Sequence, residues 1–178
     1  FNSGKKVDWD DFYSFVQEVR SPSMDFFVIP DVIGGSEEEN DALIESCPFQ
    51  DGIPVYHLHE SLSRLEALAE RFSMIAFGKM VGVEHNSEKF WIRMHQALDK
   101  ICDDQGRPKV KIHGLKCLNP QIFTKVPFTS ADSTMVGKNI DESRNKWAGP
   151  IRPISIFAKA QVLIDRIESF NSPAFWKR

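Results

Sequence analysis

Five short apolar runs, each followed directly by polar residues, are the feature that most constrains the fold of this chain. The runs lie near residues 26, 54, 75, 111 and 130, and stretches with helical periodicity separate them. Short continuous apolar runs are typical of strands that are buried on both faces. Helices between such strands favour right-handed crossovers into a parallel sheet. The pattern therefore predicts an α/β fold in which strand and helix alternate.

The helical stretches begin with recognisable capping residues. Asp8 is predicted to cap a helix that ends near Arg20, and Ser36 with Glu39 forms a capping-box pattern for a second helix that ends near Ser46. Three further helices are expected, over residues 61–72, 87–102 and 154–170. A short helix is also expected between the last two strands.

Two arrangements of a parallel sheet fit this alternation. An open doubly wound sheet binds ligands at one switch point, whereas a TIM-type (β/α) barrel carries site residues at the ends of several strands. Because every apolar run here ends in a chemically useful side chain, the barrel is favoured. Five strands fall short of the eight of a full barrel. The chain also begins at Phe1, not Met. The barrel is therefore expected to be incomplete, with N-terminal strands missing.

Charge is unevenly distributed along the chain, whose net charge is −3. Residues 138–178 contain eight Lys and Arg and four Asp and Glu, a local charge of +4. The first 137 residues contain the other 14 Lys and Arg and 21 Asp and Glu, a local charge of −7. A basic segment can meet a phosphate backbone, and a solvated helix surface explains it equally well. We interpret residues 1–178 as a single partial barrel domain, with 138–178 as its basic C-terminal helical segment.

The cysteine pattern and the absence of common motifs narrow the classes of function. Cys47, Cys102 and Cys117 are far apart and form no CxxC pair, so neither a structural zinc site nor a disulfide framework is predicted. A reduced, cytoplasmic setting fits best, because the chain has no signal peptide and no apolar run long enough to cross a membrane. No P-loop, GxGxxG or GxSxG occurs, which weakens nucleotide-triphosphate, dinucleotide and serine-hydrolase interpretations.

Two strand-end carboxylates are the leading candidates for chemistry. Asp132 follows the last strand; it can attack a carbon, orient a base or hold a metal, or it can simply cap the next helix. Asp31 follows the first strand in the same way; it can bind the polar edge of a planar heterocycle or cap the Gly34–Gly35 turn. Strand-end carboxylates in barrels are commonly catalytic, which favours a functional role for Asp132.

Several neighbouring residues also have both a functional and a structural interpretation. His57 and His59 would share one strand face and, with Glu60, permit a metal pair, although the spacing matches no firm metal motif. His113 can contact a substrate, but a core histidine bonded to backbone is commoner. Gly78 can let a ligand approach the backbone, or can serve a turn.

The order of the segments FFVIPDVIGG, IPVYHLHE, MIAFGK and VKIHGLKCLNPQIFTKVPFTSADST resembles the tRNA-guanine transglycosylase superfamily. It is most similar to the phage and bacterial branch that places 7-deazaguanines in DNA, and HGL followed by SADST is the most specific part. The resemblance covers about 1–134, and 1–4 is similar to the tail of the family's D-x-G-x-F loop. It implies a (β/α)₈ barrel that exchanges guanine for a deazaguanine.

The resemblance also implies roles for individual residues. Asp132 would be the nucleophile that attacks the sugar C1′, and Asp31 would recognise the base. Gly78 would contact the base through its backbone, and His113 would line the pocket. The full substrate-binding set that is implied is Asp31, Gly78, His113, Gly114, His57 and Glu60. In that set, the last two match a histidine–glutamate pair of the DNA-modifying branch.

Partners and departures from the family follow from the same resemblance. It implies nucleic acid, with DNA favoured over tRNA, and a free 7-deazaguanine base as partners, with no cofactor and no membrane; a homo-oligomer or a partner subunit is left open. No cysteine follows Cys117, so the zinc site of the tRNA enzymes is not expected. Lys79 and Lys116 stand where the family has small residues.

Two alternative functions remain. One is a non-catalytic relative that binds nucleic acid or a partner protein, and the other is a metal-dependent barrel hydrolase that uses His57, His59, His113 and Asp132.

Overall fold

The computed structural model alternates between helix and strand along the chain, as the sequence pattern predicts. It describes residues 8–78, 82–134, 136–137 and 155–177. The helices are α1 (Trp9–Val19), α2 (Glu37–Ser46), α3 (Leu62–Arg71), α4 (Glu88–Ile101), α5 (Pro120–Phe123) and α6 (Ile156–Glu168). The strands are β1 (Phe27–Val28), β2 (Gly52–Ile53), β3 (Val55–His57), β4 (Met74–Gly78), β5 (Lys111–Gly114) and β6 (Ser130–Ala131).

Every strand pairing is parallel, in the orders β1-β2 and β3-β4-β5-β6. The expected strand near residue 54 is divided into β2 and β3 by Pro54, which has no N–H to donate to a neighbouring strand. On one side of this division, the Ile29 N–H donates to the Ile53 carbonyl at 2.9 Å; on the other, the Ala76 N–H donates to the Pro54 carbonyl at 2.9 Å. One extended segment therefore joins the two sheets.

The sheets are open. Within the residues that the structure describes, β1 and β6 each have a neighbouring strand on one side only. The architecture is therefore α/β with parallel sheets, and the described strands do not close into a barrel.

Side-chain hydrogen bonds confirm the predicted helix starts. The Asp8 carboxylate accepts from the Asp10 N–H at 3.0 Å. The Ser36 hydroxyl accepts from the Glu39 N–H at 3.2 Å, and the Glu39 carboxylate accepts from the Ser36 N–H at 2.8 Å, which completes the capping box. A short sequence pattern is sufficient to predict these helix starts because a capping residue bonds to backbone only two or three residues further along the chain.

Three predictions fall on residues that the structure leaves undescribed. The similarity of residues 1–4 to the family loop is one, and the departure at Lys79 is another. Part of the basic segment, residues 138–154 together with residue 178, is the third; residues 155–177 are the described part of that segment.

The two faces of the four-stranded sheet bury different clusters. Tyr56, Phe77 and Ile112 lie in the larger cluster, together with Leu65 of α3 and Leu98 of α4. The opposite face carries a smaller cluster of Ile53, Val55, Met74 and Ala76, with Phe26, Val28 and Leu115 packed against it. Because side chains alternate along a strand, β3 and β4 contribute to both clusters. We call the face of the smaller cluster the inner face.

Candidate functional site

The strand register places His57, Gly78 and His113 on one face of the sheet, in two neighbouring rows of paired residues. His57 pairs with Gly78 across β3 and β4, and His113 pairs with Ser130 across β5 and β6. The β4–β5 register keeps these positions on the same side of the sheet, which is the inner face. Asp132 lies two residues after Ser130, one row nearer the carboxyl edge than His113. His57, Gly78, His113 and Asp132 therefore share one face near one edge of the sheet.

His57 and Asp31 form the first of two histidine–carboxylate pairs. The Nε2 atom of His57 lies 2.8 Å from Oδ2 of Asp31, with 3% of the His57 side chain exposed and 23% of the Asp31 side chain. A Cβ atom at Gly78 would lie 2.7 Å from Nδ1 of His57, so only glycine lets the ring lie against β4 at this position. The His59 ring stacks on His57 with a centroid distance of 5.6 Å. Asp31 is therefore positioned by a buried imidazole.

His113 and Asp132 form the second pair. Nε2 of His113 lies 3.4 Å from Oδ1 of Asp132, and Nδ1 lies 2.8 Å from the Ser130 hydroxyl. The Lys116 N–H donates to the same Asp132 oxygen at 2.9 Å, from a backbone conformation with φ of 57°. The Asp132 side chain is half exposed. The contacts with His113 and Lys116 both use Oδ1, and the half-exposed carboxylate is accessible to a ligand.

Burial sets the protonation of the groups around Asp132. The pKa of His113 lies below its ordinary value because burial disfavours the charged ring, and the Asp132 carboxylate only partly offsets that effect. A neutral ring has one donor and one acceptor, so it can accept from Ser130 and donate to Asp132. Burial, with a smaller effect of the Asp132 charge, raises the pKa of Cys117 to about 12. Cys117 is therefore a protonated thiol and a poor nucleophile.

Glu60 lies outside these two rows and makes its contacts within the protein. It is 3% exposed. Its Oε2 accepts from the His57 N–H at 2.8 Å and from the Arg64 guanidinium at 2.6 Å, and its Oε1 accepts from the Asn40 amide at 3.3 Å. Asn40 in turn accepts from the Val32 N–H at 2.8 Å. This buried network connects α2 and α3 to the residue that follows Asp31 and to the end of β3.

Asn40 and Arg64 were not predicted to have a role from the sequence. Both lie in helices, at positions where polar residues usually face solvent, and no local pattern distinguishes them. The i, i+4 spacing of Glu60 and Arg64 is the one signal that the sequence offers for their contact.

Gly114 follows His113 and therefore faces the other side of the sheet. A Cβ atom there would lie 2.8 Å from the Cβ of Cys117 and 3.0 Å from the Phe128 ring, both in the larger cluster. The Gly114 carbonyl accepts from the Asp132 N–H at 3.2 Å. Any contact of Gly114 with a ligand would have to use its backbone.

The two histidine–carboxylate pairs lie at opposite sides of the four-stranded sheet, on the same face. Three spacings of about 4.8 Å separate β3 from β6, which places their backbones roughly 14 Å apart along the sheet. Asp31 and Asp132 are thus held on the same face and edge, on either side of β4 and β5. This arrangement allows one carboxylate to bind a ligand at one end while the other acts on it at the far end.

Ligands for a metal ion do not converge in the described ranges. There, no group of three or more His, Cys, Asp and Glu side chains is arranged to hold a metal ion. The ligand set that a metal-dependent hydrolase needs is therefore not found in this part of the chain. Separately, none of the helices among the described residues has the length and apolar character needed to cross a membrane.

Fold and site together define a parallel α/β protein with two histidine–carboxylate pairs at the carboxyl edge of its sheets. Comparison of the chain with protein-family models, with curated proteins and with solved structures gives no match. Function therefore has to be argued from the site itself.

Proposed function

We propose that the protein is a base-exchange transglycosylase that replaces guanine in DNA with a 7-deazaguanine. The observation that carries the proposal is the position of Asp31 and Asp132 on one face and one edge of the sheets, each beside a histidine of the inner face. Two carboxylates in this relation suit the two tasks of the reaction, which are recognition of a base and attack on the sugar that carries it.

The proposal includes a barrel. Parallel strands with the larger apolar cluster and helices on one face, and a smaller cluster on the other, are what an arc of a (β/α)₈ barrel presents. Barrel enzymes carry their sites at the carboxyl ends of the strands, which is where both candidate carboxylates lie. In this proposal the inner face lines the barrel interior.

Asp132 is the proposed nucleophile. Its carboxylate oxygen forms a bond to C1′ of the deoxyribose while the C1′–N9 bond breaks, and the bond's electron pair leaves with the guanine. The departing guanine takes up a proton from solvent. The incoming deazaguanine then attacks C1′ through its N9 from the face that the guanine left, gives its N9 proton to solvent, and releases the carboxylate. Such a displacement passes through an oxocarbenium-like state, as in glycoside hydrolysis by retaining enzymes. The Lys116 N–H and His113 hold Oδ1, so attack falls to the other oxygen.

Asp31 is the proposed base-binding residue. A carboxylate accepts hydrogen bonds only, so it suits the N–H groups on the edge of guanine. His57 contacts Oδ2 of Asp31 and thereby sets the direction in which Oδ1 of Asp31 points. The target nucleotide has to leave the duplex stack before its C1′ can reach Asp132, and the half-exposed position of Asp132 at the sheet edge allows that approach.

Covalent capture tests the proposal directly. Full-length protein is incubated with a DNA duplex labelled on the strand that carries guanine, and denaturing electrophoresis measures the protein–DNA adduct. We expect the wild-type protein to form the adduct and to exchange the base, and the Asp132→Asn variant to do neither. Asp104→Asn, at an exposed turn, is the matched control and keeps both activities. Base exchange by Asp132→Asn at the wild-type rate would remove the proposal.

A further inference from the structure

A concave surface lies on the helix side of the molecule, away from the inner face. It is a groove of about 480 Å³ between α4, the residues that follow α5, and the C-terminal segment 173–177. That volume is in the range of ligand sites. Its principal lining residues are Trp91, His95, Lys125, Phe175, Trp176 and Lys177. We call it the aromatic groove.

The C-terminal wall of the aromatic groove is fixed by specific contacts. Trp176 is 6% exposed, and its backbone N–H donates to the Gly106 carbonyl at 2.7 Å. Its indole N–H donates to Asp99 at 3.2 Å. Gly106 has a φ of 79°, and a Cβ atom there would overlap the Trp176 carbonyl oxygen. The segment is therefore docked against the turn that follows α4.

The lining of the groove combines aromatic rings with positive charge. The Lys125 ammonium lies 5.0 Å from the centroid of the Trp91 ring, and the His95 ring stands 4.7 Å from that of Trp176. Phe175 is 40% exposed. Among the described residues that line the groove, two are lysines and none carries a carboxylate, although the whole chain has a net charge of −3. Rings that stack on bases, set between cations that meet phosphates, are what single-stranded nucleic acid requires.

We propose that the aromatic groove binds a few nucleotides of single-stranded nucleic acid, as a site separate from the sheet edge. Contacts relate the two places: the Trp91 indole N–H donates to Asn86 at 2.8 Å, and the Asn86 amide donates to Gln121 of α5 at 3.1 Å. Helix α5 follows the turn in which Lys116 donates to Asp132. A DNA strand that has been unpaired around a target nucleotide can then bind in the aromatic groove, on the far side of this turn from the sheet edge.

Fluorescence anisotropy with a fluorescein-labelled 12-nucleotide single-stranded DNA, and with the duplex of the same sequence, tests the groove in the full-length protein. Loss of one stacking ring typically costs enough to weaken binding about tenfold, which is the expectation for Phe175→Ala with the single strand. Lys125→Ala is expected to lower the salt dependence of binding by about 0.7 in log–log slope. Phe157→Ala, which removes an 84% exposed ring from α6, and Lys159→Ala are the matched controls and leave binding unchanged.

Three results would overturn this proposal. One is equal affinity of Phe175→Ala and wild-type protein for the single strand. Another is a loss of duplex binding in Phe175→Ala as large as its loss of single-strand binding, which would make the groove a general anion-binding surface. The third is an equal loss in the Phe157→Ala control. Because the assay involves no base exchange and is repeated in the Asp132→Asn background, its outcome is independent of the transglycosylase proposal.

Discussion

The carboxylate of Glu60 accepts a hydrogen bond from the backbone N–H of His57 at 2.8 Å, and both residues are almost fully buried. The same oxygen accepts from Arg64, and the other accepts from Asn40. The resemblance to the DNA-modifying branch matches His57 and Glu60 to a histidine–glutamate pair without assigning the pair a role. The geometry favours a division of roles, in which Glu60 fixes the turn after β3 and His57 lies beside Asp31.

Replacement of Glu60 by alanine is expected to destabilise the fold strongly. The buried Arg64 guanidinium loses its closest carboxylate but keeps its contact with Asp41 at 2.8 Å, so the loss in the free energy of unfolding is expected to be about 3 kcal/mol, the lower end for breaking a buried pair. Chemical denaturation measures the change. Glu45→Ala, which breaks an exposed pair with Arg71, is the matched control and should cost less than about 1 kcal/mol. Equal losses in the two variants would contradict a structural role for Glu60.

The extent to which the sequence predicts this molecule depends on how local each feature is. The capping box at Ser36 and Glu39 and the five apolar runs are visible within a few residues, and the structure has them where they are expected. The division of a strand at Pro54 follows from the missing N–H but was not predicted, because an apolar run hides it.

Long-range polar contacts mark the limit of sequence-based prediction at the site. Register and side-chain alternation bring His113 and Asp132 together, so a correct parallel sheet nearly suffices to predict that pair. The contacts of Asn40 join residues from separate helices and loops, and no spacing rule relates them. The described strands form two open sheets, so closure of a barrel stays a proposal.

The Gly78→Ala variant is expected to lose base binding before it loses its fold. Its new Cβ would lie 2.7 Å from the His57 ring, which has to move and take Asp31 with it. Calorimetric titration with free guanine should show affinity reduced at least tenfold, with a small change in melting temperature. Gly137→Ala, where a Cβ meets no atom within 4 Å, is the control. Unchanged guanine affinity in Gly78→Ala would separate Asp31 from base recognition.

Acid is expected to destabilise the fold through His113. Because burial lowers the pKa of His113 in the folded protein, the unfolded chain takes up its proton more readily. The contribution of His113 to the free energy of unfolding is therefore fully present above the ordinary histidine pKa of 6.5, and it is lost as the pH falls below that value. Denaturation midpoints measured across this range should fall less steeply with acid in His113→Asn than in the wild type. The exposed His95→Asn is the control, and a His113→Asn profile parallel to the wild type would contradict the assignment.

Ser130→Ala is expected to slow base exchange without abolishing it. The hydroxyl lies 2.8 Å from Nδ1 of His113, and its loss frees the ring to adopt the other tautomer, which no longer donates to Asp132. Loss of one such hydrogen bond, worth about 1 kcal/mol, corresponds to about a fivefold slower turnover. Single-turnover kinetics measure it, with Ser63→Ala on α3 as control. A fall in substrate affinity with unchanged turnover would instead assign Ser130 to binding.

Lys116→Gly is expected to be tolerated and to stabilise the turn that holds Asp132. Lys116 has a φ of 57°, a conformation that costs L-residues roughly 1–2 kcal/mol and glycine almost nothing. The greater freedom of glycine in the unfolded chain offsets about 0.5–1 kcal/mol of that gain. Lys111→Gly, in β5, has no such strain to relieve and should destabilise by a similar amount, so the two variants should shift the denaturation midpoint in opposite directions. A loss of stability in Lys116→Gly as large as in Lys111→Gly would show that the Lys116 side chain supports the turn, despite its backbone conformation.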